Sequence, residues 1–358
     1  MNEITSLGNV MSVARPPHTY ERIAPNLFNF YSKRTDLRQY VIGEISKTVR
    51  ECPEEGVWQV SNAVVFDGKH VMLSDGRLAA ETLQDTGQDH IASLGQRQEV
   101  MIDLRKLAAN PYPIVILLKE GDANYGHMLV EMIPKLLSVK RLGIRAVNVV
   151  FSAPAEWAAE LVVAIARTLE IEVNLLRPGP QPAFADELTI LSPVARHNNR
   201  KSYTVVDMAD HLLRSLAEPQ PTERAEKLVV WRRPGEKRNP INSDELIHTL
   251  AGKGYRVVYP AEMSFRDQVA MFSKATHVVG LLGAGLTNTM FSPADTEVFM
   301  IDPGLYDFFF WDLCTIRKQN FSWYFSQPLQ MFEPSRLTKS VELNTHDILS
   351  ALSAVDFI

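Results

Sequence analysis

One pattern constrains this chain more than any other: short apolar runs rich in β-branched residues alternate with segments of helical period, and the alternation occurs twice. The first series runs IVILLKE at 114–120, a helix over 126–141, AVNVVFSA from 146, a helix from 155, VNLLRPG and ELTILSP, then a helix over 204–216. The second runs KLVVWRR from 227, SDELIHTLAGKG, YRVVYP, SFRDQVAMFSKA, THVVGLLG, AGLTNTMFS and DTEVFMID. Strand–helix alternation on this scale calls for parallel sheets covered by helices. Between the two series lies AEPQPTERAEK, 217–227, which is polar, carries two prolines and has no apolar period, as a linker would. The expectation is an α/β protein of two domains facing each other. Ligands of such sheets sit beyond the carboxyl ends of the strands, so a shared cleft is the expected site.

The 358 residues suit two domains. Residues 1–216 form the expected N-terminal domain, of which 1–110 is poorly assigned and partly β. VWQVSNAVV at 57–65 and HVML at 70–73 read as strands joined by FDGK, where Asp67 braces the turn and Gly68 tolerates positive φ. Residues 228–335 form the second domain. The segment 336–358 holds a last helix, expected to pack back on the N-terminal domain.

With 37 basic against 42 acidic residues the net charge is -5, so a whole-protein nucleic-acid footprint is absent. Cys52 and Cys314 are the two cysteines, far apart and without metal-type spacing, which suits a reducing compartment. No apolar leader and no long uncharged apolar run is visible. A soluble cytoplasmic protein is expected. KRLGIR at 140–145 supplies three cations for peripheral contact with the inner face of a membrane.

Three constellations could carry chemistry. In VVGLLGAGLTNTMF, 278–291, a strand ends at Gly280–Gly283 and a helix begins near Ala284. Glycines allow close backbone approach, and the first-turn N–H groups of a helix attract phosphate. Packing alone also asks for glycine there. The motif is not the dinucleotide fingerprint, since Asn288 stands where its last glycine belongs. In WRRPGEKRNPIN, 231–242, Arg232, Arg233, Lys237 and Arg238 crowd one loop at a strand's carboxyl end. Like charges repel unless something negative joins them, and arginine's fork suits phosphate; a solvated basic loop is the plainer reading. Both features would lie at one edge of one sheet. In NYGHMLVEMIPKLL, 124–137, His127 and Glu131 are four apart and share a helix face. Asn124 and Lys135 continue that stripe, and Pro134 interrupts the helix at a cost of roughly 3 kcal/mol. By spacing alone, a solvated polar face is the commoner account of such a stripe. No acidic pair suits a divalent ion on phosphates, and neither a zinc-protease motif nor a nucleophile elbow is present.

Taken together, NYGHMLVEMIPKL at 124–136, the WRR…R loop with INSDEL at 231–246, and SFRDQVAMFSKATHVVGLLGAGLTNTMFSPADTEVFMID at 264–302 resemble family 61 glycosyltransferases, in the bacterial branch associated with capsular polysaccharide biosynthesis. The resemblance implies a GT-B-like fold of two Rossmann-like domains facing a central cleft, inversion at the anomeric carbon, no cofactor and no obligatory metal. Relatives use UDP-sugars. The family usually carries His just before G-A-G, where this chain has Leu282.

On that resemblance the C-terminal domain binds the nucleotide-sugar donor. Arg232 and Arg238 neutralise the diphosphate, aided by the turn Gly283, Ala284, Gly285, Leu286, Thr287 and Asn288, its N–H groups at Gly285–Thr287 above all. Glu297, opening the next strand, takes the ribose hydroxyls. The N-terminal domain holds a glycan or lipid-linked glycan acceptor, with Asn124 and Lys135 on that side. Inverting transfer needs one base. Either Glu131 takes the proton, its pKa raised by a partly closed cleft, or His127 takes it and Glu131 orients the ring; the first is the expectation. Leu282 motivates an alternative, a non-catalytic nucleotide-sugar or glycan-binding homologue. An NAD-dependent oxidoreductase is disfavoured by the broken fingerprint.

Overall fold

The computed structural model describes residues 3–30, 35–94, 101–216, 226–233, 236, 240, 242–326 and 342–358. It is a mixed α/β protein of two compact units: Met1–Thr19 with Glu51–Met208, and Tyr20–Arg50 with Ala209–Ile358.

In the second unit six strands form one sheet, in the order Arg256–Val258, Glu226–Val230, Ala275–Leu281, Glu297–Asp302, Asn320–Phe325 and Asn26–Phe28. Every pairing in it is parallel. Helices cover it, so residues 278–281 and 298–302 are buried without alternation. The five strands from Glu226 onward run 2-1-3-4-5 in space. In that doubly wound order the first and third strands are neighbours whose connections leave in opposite directions, opening a crevice at their carboxyl ends.

Residues 20–50 belong to this unit, which corrects the expected 1–216 domain. Asn26–Phe28 extends the sheet beside Asn320–Phe325, with Asn26 opposite Ser322 and Phe28 opposite Tyr324. Arg22 is buried against Asp312 at 2.5 Å. The C-terminal helix Thr345–Ser353, expected on the N-terminal domain, belongs to this unit: Ile348 and Leu352, four apart on one face, join Val229, Val279 and Phe299 in one core. The division between the units falls inside helix Tyr203–Leu216 and not at the expected linker, of which 217–225 lie outside the described residues.

In the first unit the long strand Glu55–Phe66 runs antiparallel to Ala183–Leu191. Ile114–Ile116, Ala146–Val150 and Glu172–Leu176 then follow in parallel. The four parallel strands take the order 3-2-1-4, counting from Ile114, as in the first part of a Rossmann sheet. The turn after Phe66 forms as its residues dictate, with φ of 52° at Asp67 and 67° at Gly68.

The 126–141 helix is not uniform. An α turn at Tyr125–His127 passes into a π turn at Met128–Met132, a 3-10 turn at Ile133–Lys135 and α-helix again at Leu136–Arg141. Pro134 has no N–H to give to the preceding turn, so the ladder widens before it and tightens after it. Both cysteines are buried. Among the described residues no helix is long and apolar enough to cross a membrane.

Candidate active site

The His127 stripe is not a solvated face. The Glu131 side chain is 0% exposed. Its Oε2 accepts from Lys119 Nζ at 2.6 Å and from His127 Nδ1 at 2.7 Å. Its Oε1 is buried without a hydrogen-bond partner, 3.8 Å from His197 Nδ1. The His127 and His197 rings lie 4.9 Å apart. Lys119 is itself 3% exposed and also meets Asp85 at 2.5 Å. Burial alone would push the Glu131 carboxyl up. The hydrogen bond from His127 and the charges of Lys119, His127 and Lys201 outweigh it and hold the group well below the usual carboxylate range. The expected elevation toward neutrality is thus reversed, because the residues around Glu131 are cationic.

The carboxylate accepts from His127 Nδ1, a contact through which Glu131 orients the ring. The ring is 21% exposed, while its orienting carboxylate is sealed. Gly121, with φ of 89°, makes room for it: a Cβ there would stand 2.9 Å from two ring carbons. Asn124 and Lys135 have structural work to do. Asn124 caps the first turn, its Oδ1 accepting from the N–H groups of Gly126 at 2.8 Å and His127 at 3.4 Å. Lys135 is 5% exposed and donates to the Leu117 carbonyl at 3.0 Å, so it cannot reach an acceptor in solvent. Burial, with Lys119 nearby, pushes its amine down to about 7. His127, Glu131 and His197 have metal-type spacing. Lys119, however, already neutralises the carboxylate, and an ammonium there repels a divalent ion.

The second unit brings the other two constellations together. Arg232 follows strand Glu226–Val230, and its Nη2 donates to the Leu282 carbonyl at 3.0 Å. A Cβ on Gly283 would lie 1.9 Å from that Nη2. Glycine at 283 is therefore what lets the guanidinium lie across the turn. Gly285 is hemmed in too, since its Cβ would stand 3.3 Å from Pro260 and Val230 side-chain atoms. Arginine and glycine turn thus meet at the carboxyl ends of the first and third strands, at the crevice the topology opens.

Several assignments here change. Ala284–Phe291 is a 3-10 helix, and the Leu286 N–H is already donated to the Gly283 carbonyl at 2.9 Å. A 3-10 turn closes its bonds one residue sooner than an α turn. The half-buried Ala284 and Gly285 stay at the surface of the turn, whereas Leu286, Thr287 and Asn288 are buried. Asn288 ties the turn to helix Phe265–Phe272 through Gln268 Oε1 at 2.7 Å. Arg233 pairs with Glu262 at 2.6 Å and stacks 3.8 Å over Tyr259. Lys237 and Arg238 lie outside the described residues. Glu297 is at the wrong end of the sheet for the role expected of it. It registers with His277, while Leu281, next to the glycine turn, registers with Ile301. After a helix the chain must return across the sheet before the next parallel strand opens, so the residue opening it stands at the amino edge. There Glu297 accepts from Asn320 Nδ2 at 2.6 Å.

The carboxylate at the correct edge is Asp302, which the motif reading missed. Its Oδ1 accepts from the N–H groups of Gly304 and Leu305, both at 2.7 Å, and its Oδ2 from Tyr306 N–H at 2.9 Å and Trp323 Nε1 at 3.1 Å. Burial nevertheless pushes it up to about 6. It shapes the 303–306 loop beside the crevice.

No curated protein matches the chain. Residues 125–299 match the family model described as Glycosyltransferase 61, just under half of the 358 residues. The match begins at the His127 turn and ends in the strand after the glycine turn, so His127, Glu131, Arg232 and the glycine turn all fall inside it. From Tyr125 to Phe299, then, the chain is similar to family 61 glycosyltransferases.

Proposed function

We propose that the protein is an inverting, metal-independent glycosyltransferase of the GT-B class that moves a hexosyl or pentosyl group from a UDP-sugar to a cell-envelope or capsular glycan. The observation that carries this reading is the Arg232 guanidinium lying across Gly283 at the switch point of a parallel sheet. A cation beside the half-buried Ala284–Gly285 backbone at that crevice suits a diphosphate, whose charge grows as it leaves. His127, oriented by Glu131, takes the proton of the acceptor hydroxyl. The transfer itself calls for no cofactor.

A thermal-shift screen of nucleotide sugars, followed by calorimetry with UDP, tests the donor half. UDP should bind, and Arg232→Ala should weaken it by roughly 1.5–3 kcal/mol, the scale of a charged hydrogen bond. Unchanged UDP affinity in Arg232→Ala would remove this turn from the donor site. Leu282 supports a second reading, a nucleotide-sugar-binding homologue without turnover. The Leu282 side chain is apolar and buried where the family usually has a titratable ring. UDP-sugar binding with no transfer to any envelope-derived acceptor would select that reading.

For localisation we propose the cytoplasm, with peripheral attachment to the inner face of a membrane. Lys140 and Arg145 are exposed, while Arg141 is paired with Asp207. Salt-sensitive co-sedimentation with anionic liposomes, lost in Lys140→Ala/Arg145→Ala, is the expected result. Failure to sediment at low salt would sink it.

A further inference from the structure

We infer a second site in the first unit, a zinc-class metal site built from Asp67, His70 and His90, with Glu120 as a fourth donor. Asp67 sits in the turn after strand Glu55–Phe66, His70 opens strand His70–Met72, and His90 lies in helix Gln88–Leu94. Their ligand atoms all fall within 4.8 Å of one another.

The hydrogen bonding of these side chains leaves a place for a cation. His70 is 0% exposed, and its Nδ1 stands 3.0 Å from the Thr82 carbonyl oxygen. A carbonyl only accepts, so Nδ1 carries a proton, and in the neutral ring Nε2 presents its lone pair. That lone pair faces Glu120 Oε1 at 3.1 Å. Two acceptors at this distance repel unless positive charge joins them. His90 repeats the pattern: its Nε2 is buried and makes no hydrogen bond, although Asp67 Oδ2 is 3.2 Å away and Glu120 Oε1 4.0 Å. Zinc bonds of about 2.0–2.2 Å place tetrahedral ligand atoms roughly 3.3 Å apart, close to two of these separations. Two imidazoles beside two carboxylates select zinc, cobalt or nickel over magnesium or calcium. The Thr82 carbonyl fixes the His70 tautomer, the usual outer-shell device around a metal. The neighbouring cation, Lys69, is paired with Asp122 at 2.9 Å, and so differs from Lys119, which occupies Glu131 directly. Lys119 and Glu120 are consecutive, so an ion held by Glu120 also fixes the backbone from which Lys119 reaches Glu131. The role is structural and separate from the transfer chemistry.

The test titrates the chelator-stripped full-length protein with Zn²⁺ by calorimetry, and with Co²⁺ by visible absorption. One Zn²⁺ per chain, a tetrahedral Co²⁺ spectrum and a higher melting temperature are expected; at 100 times the dissociation constant the folding equilibrium shifts about 100-fold. Asp67→Asn keeps a residue suited to positive φ, and His90→Ala changes a side chain that is 38% exposed. Each should weaken Zn²⁺ by more than the 10–100-fold typical of losing an outer-shell partner. His197→Ala, in the other histidine cluster, should leave Zn²⁺ affinity unchanged. Absence of Zn²⁺ binding by the wild type would show that a proton bridges these groups instead, overturning the site. Wild-type affinity in both Asp67→Asn and His90→Ala, or loss in His197→Ala alone, would also overturn it.

Discussion

At Glu131 burial and charge pull in opposite directions, and the cationic neighbours win. The sign fixes a pH dependence. The folded-state value lies below the ordinary 4.5, so this group adds stability that is fully present above that pH and is lost as pH falls below it. Glu131→Gln should cost about 3 kcal/mol at neutral pH, the low end for a broken buried pair because Lys119 keeps Asp85. It should also flatten the acid limb of a stability-versus-pH curve measured by urea melts. An acid limb as steep as the wild type's would mean that Glu131 is not held ionised. For chemistry, His127→Ala should cut transfer at least ~100-fold while UDP affinity holds. Near-wild-type turnover in that folded variant would send the search for the base elsewhere. The pair itself was legible, because spacing of four on a helix needs no tertiary knowledge. Lys119 and Lys201 were not, since they come from other segments with no shared period, and together with His127 they hold the carboxylate ionised against its burial.

Turns and strands differ in how much of their role is local. The apolar runs at 114, 146, 275 and 297 all became buried strands, because a doubly covered parallel strand needs little beyond continuous β-branched residues. Asn26–Phe28 escaped notice, as three residues carry no period and only the open edge of Asn320–Phe325 makes them a strand. Capping is local as well: Ser264 caps its helix, accepting from Asp267 N–H at 3.1 Å, while the Ser243 side chain makes no cap bond. Position along the sheet was the part hardest to read. Arg232 and the glycine turn both end strands and so share the carboxyl edge, but Glu297 begins one and does not. The turn yields a sharp expectation. Gly283 has extended backbone that any residue adopts, so Gly283→Ala strains no dihedral and collides only with the far end of Arg232. The melting temperature should therefore stay within a few degrees, while UDP affinity falls as far as in Arg232→Ala. Calorimetry and melting on the same sample separate the two. Wild-type UDP affinity would show that the guanidinium's place across the turn does not matter for the ligand.

At the scale of the whole molecule, the chain changes units at Thr19/Tyr20, Arg50/Glu51 and Met208/Ala209, so neither unit is one continuous stretch of sequence. The linker reading located a polar segment but could not see that 20–50 had left the first unit. The residues that hold this excursion are specific. Arg22 Nε donates to Asp312 Oδ1 at 2.7 Å, its Nη1 donates to the Glu44 carbonyl at 3.0 Å, and its guanidinium lies 4.2 Å over the Trp311 ring. Both charged side chains are 0% exposed. Removing one member of such a pair strands the other charge without water. Arg22→Ala should therefore cost about 3–5 kcal/mol, far more than the same change on a surface. Asp312→Leu alone should cost a similar amount, because it strands Arg22. Their combination, as Arg22→Met/Asp312→Leu, should recover most of the loss, since two apolar side chains can fill the space without a charge to desolvate. A double-mutant cycle built on Arg22→Met, Asp312→Leu and the pair, measured by urea denaturation, reads this directly. Strong coupling means that residues 20–50 are fixed to the second unit by a charge pair that neither half of the sequence can satisfy alone. A coupling below about 0.5 kcal/mol, the level of independent sites, would leave the segment held by the strand Asn26–Phe28 and by neutral contacts such as Trp311 Nε1 donating to the Ile23 carbonyl at 2.6 Å, and would make a fragment starting at 209 more self-sufficient than this architecture implies.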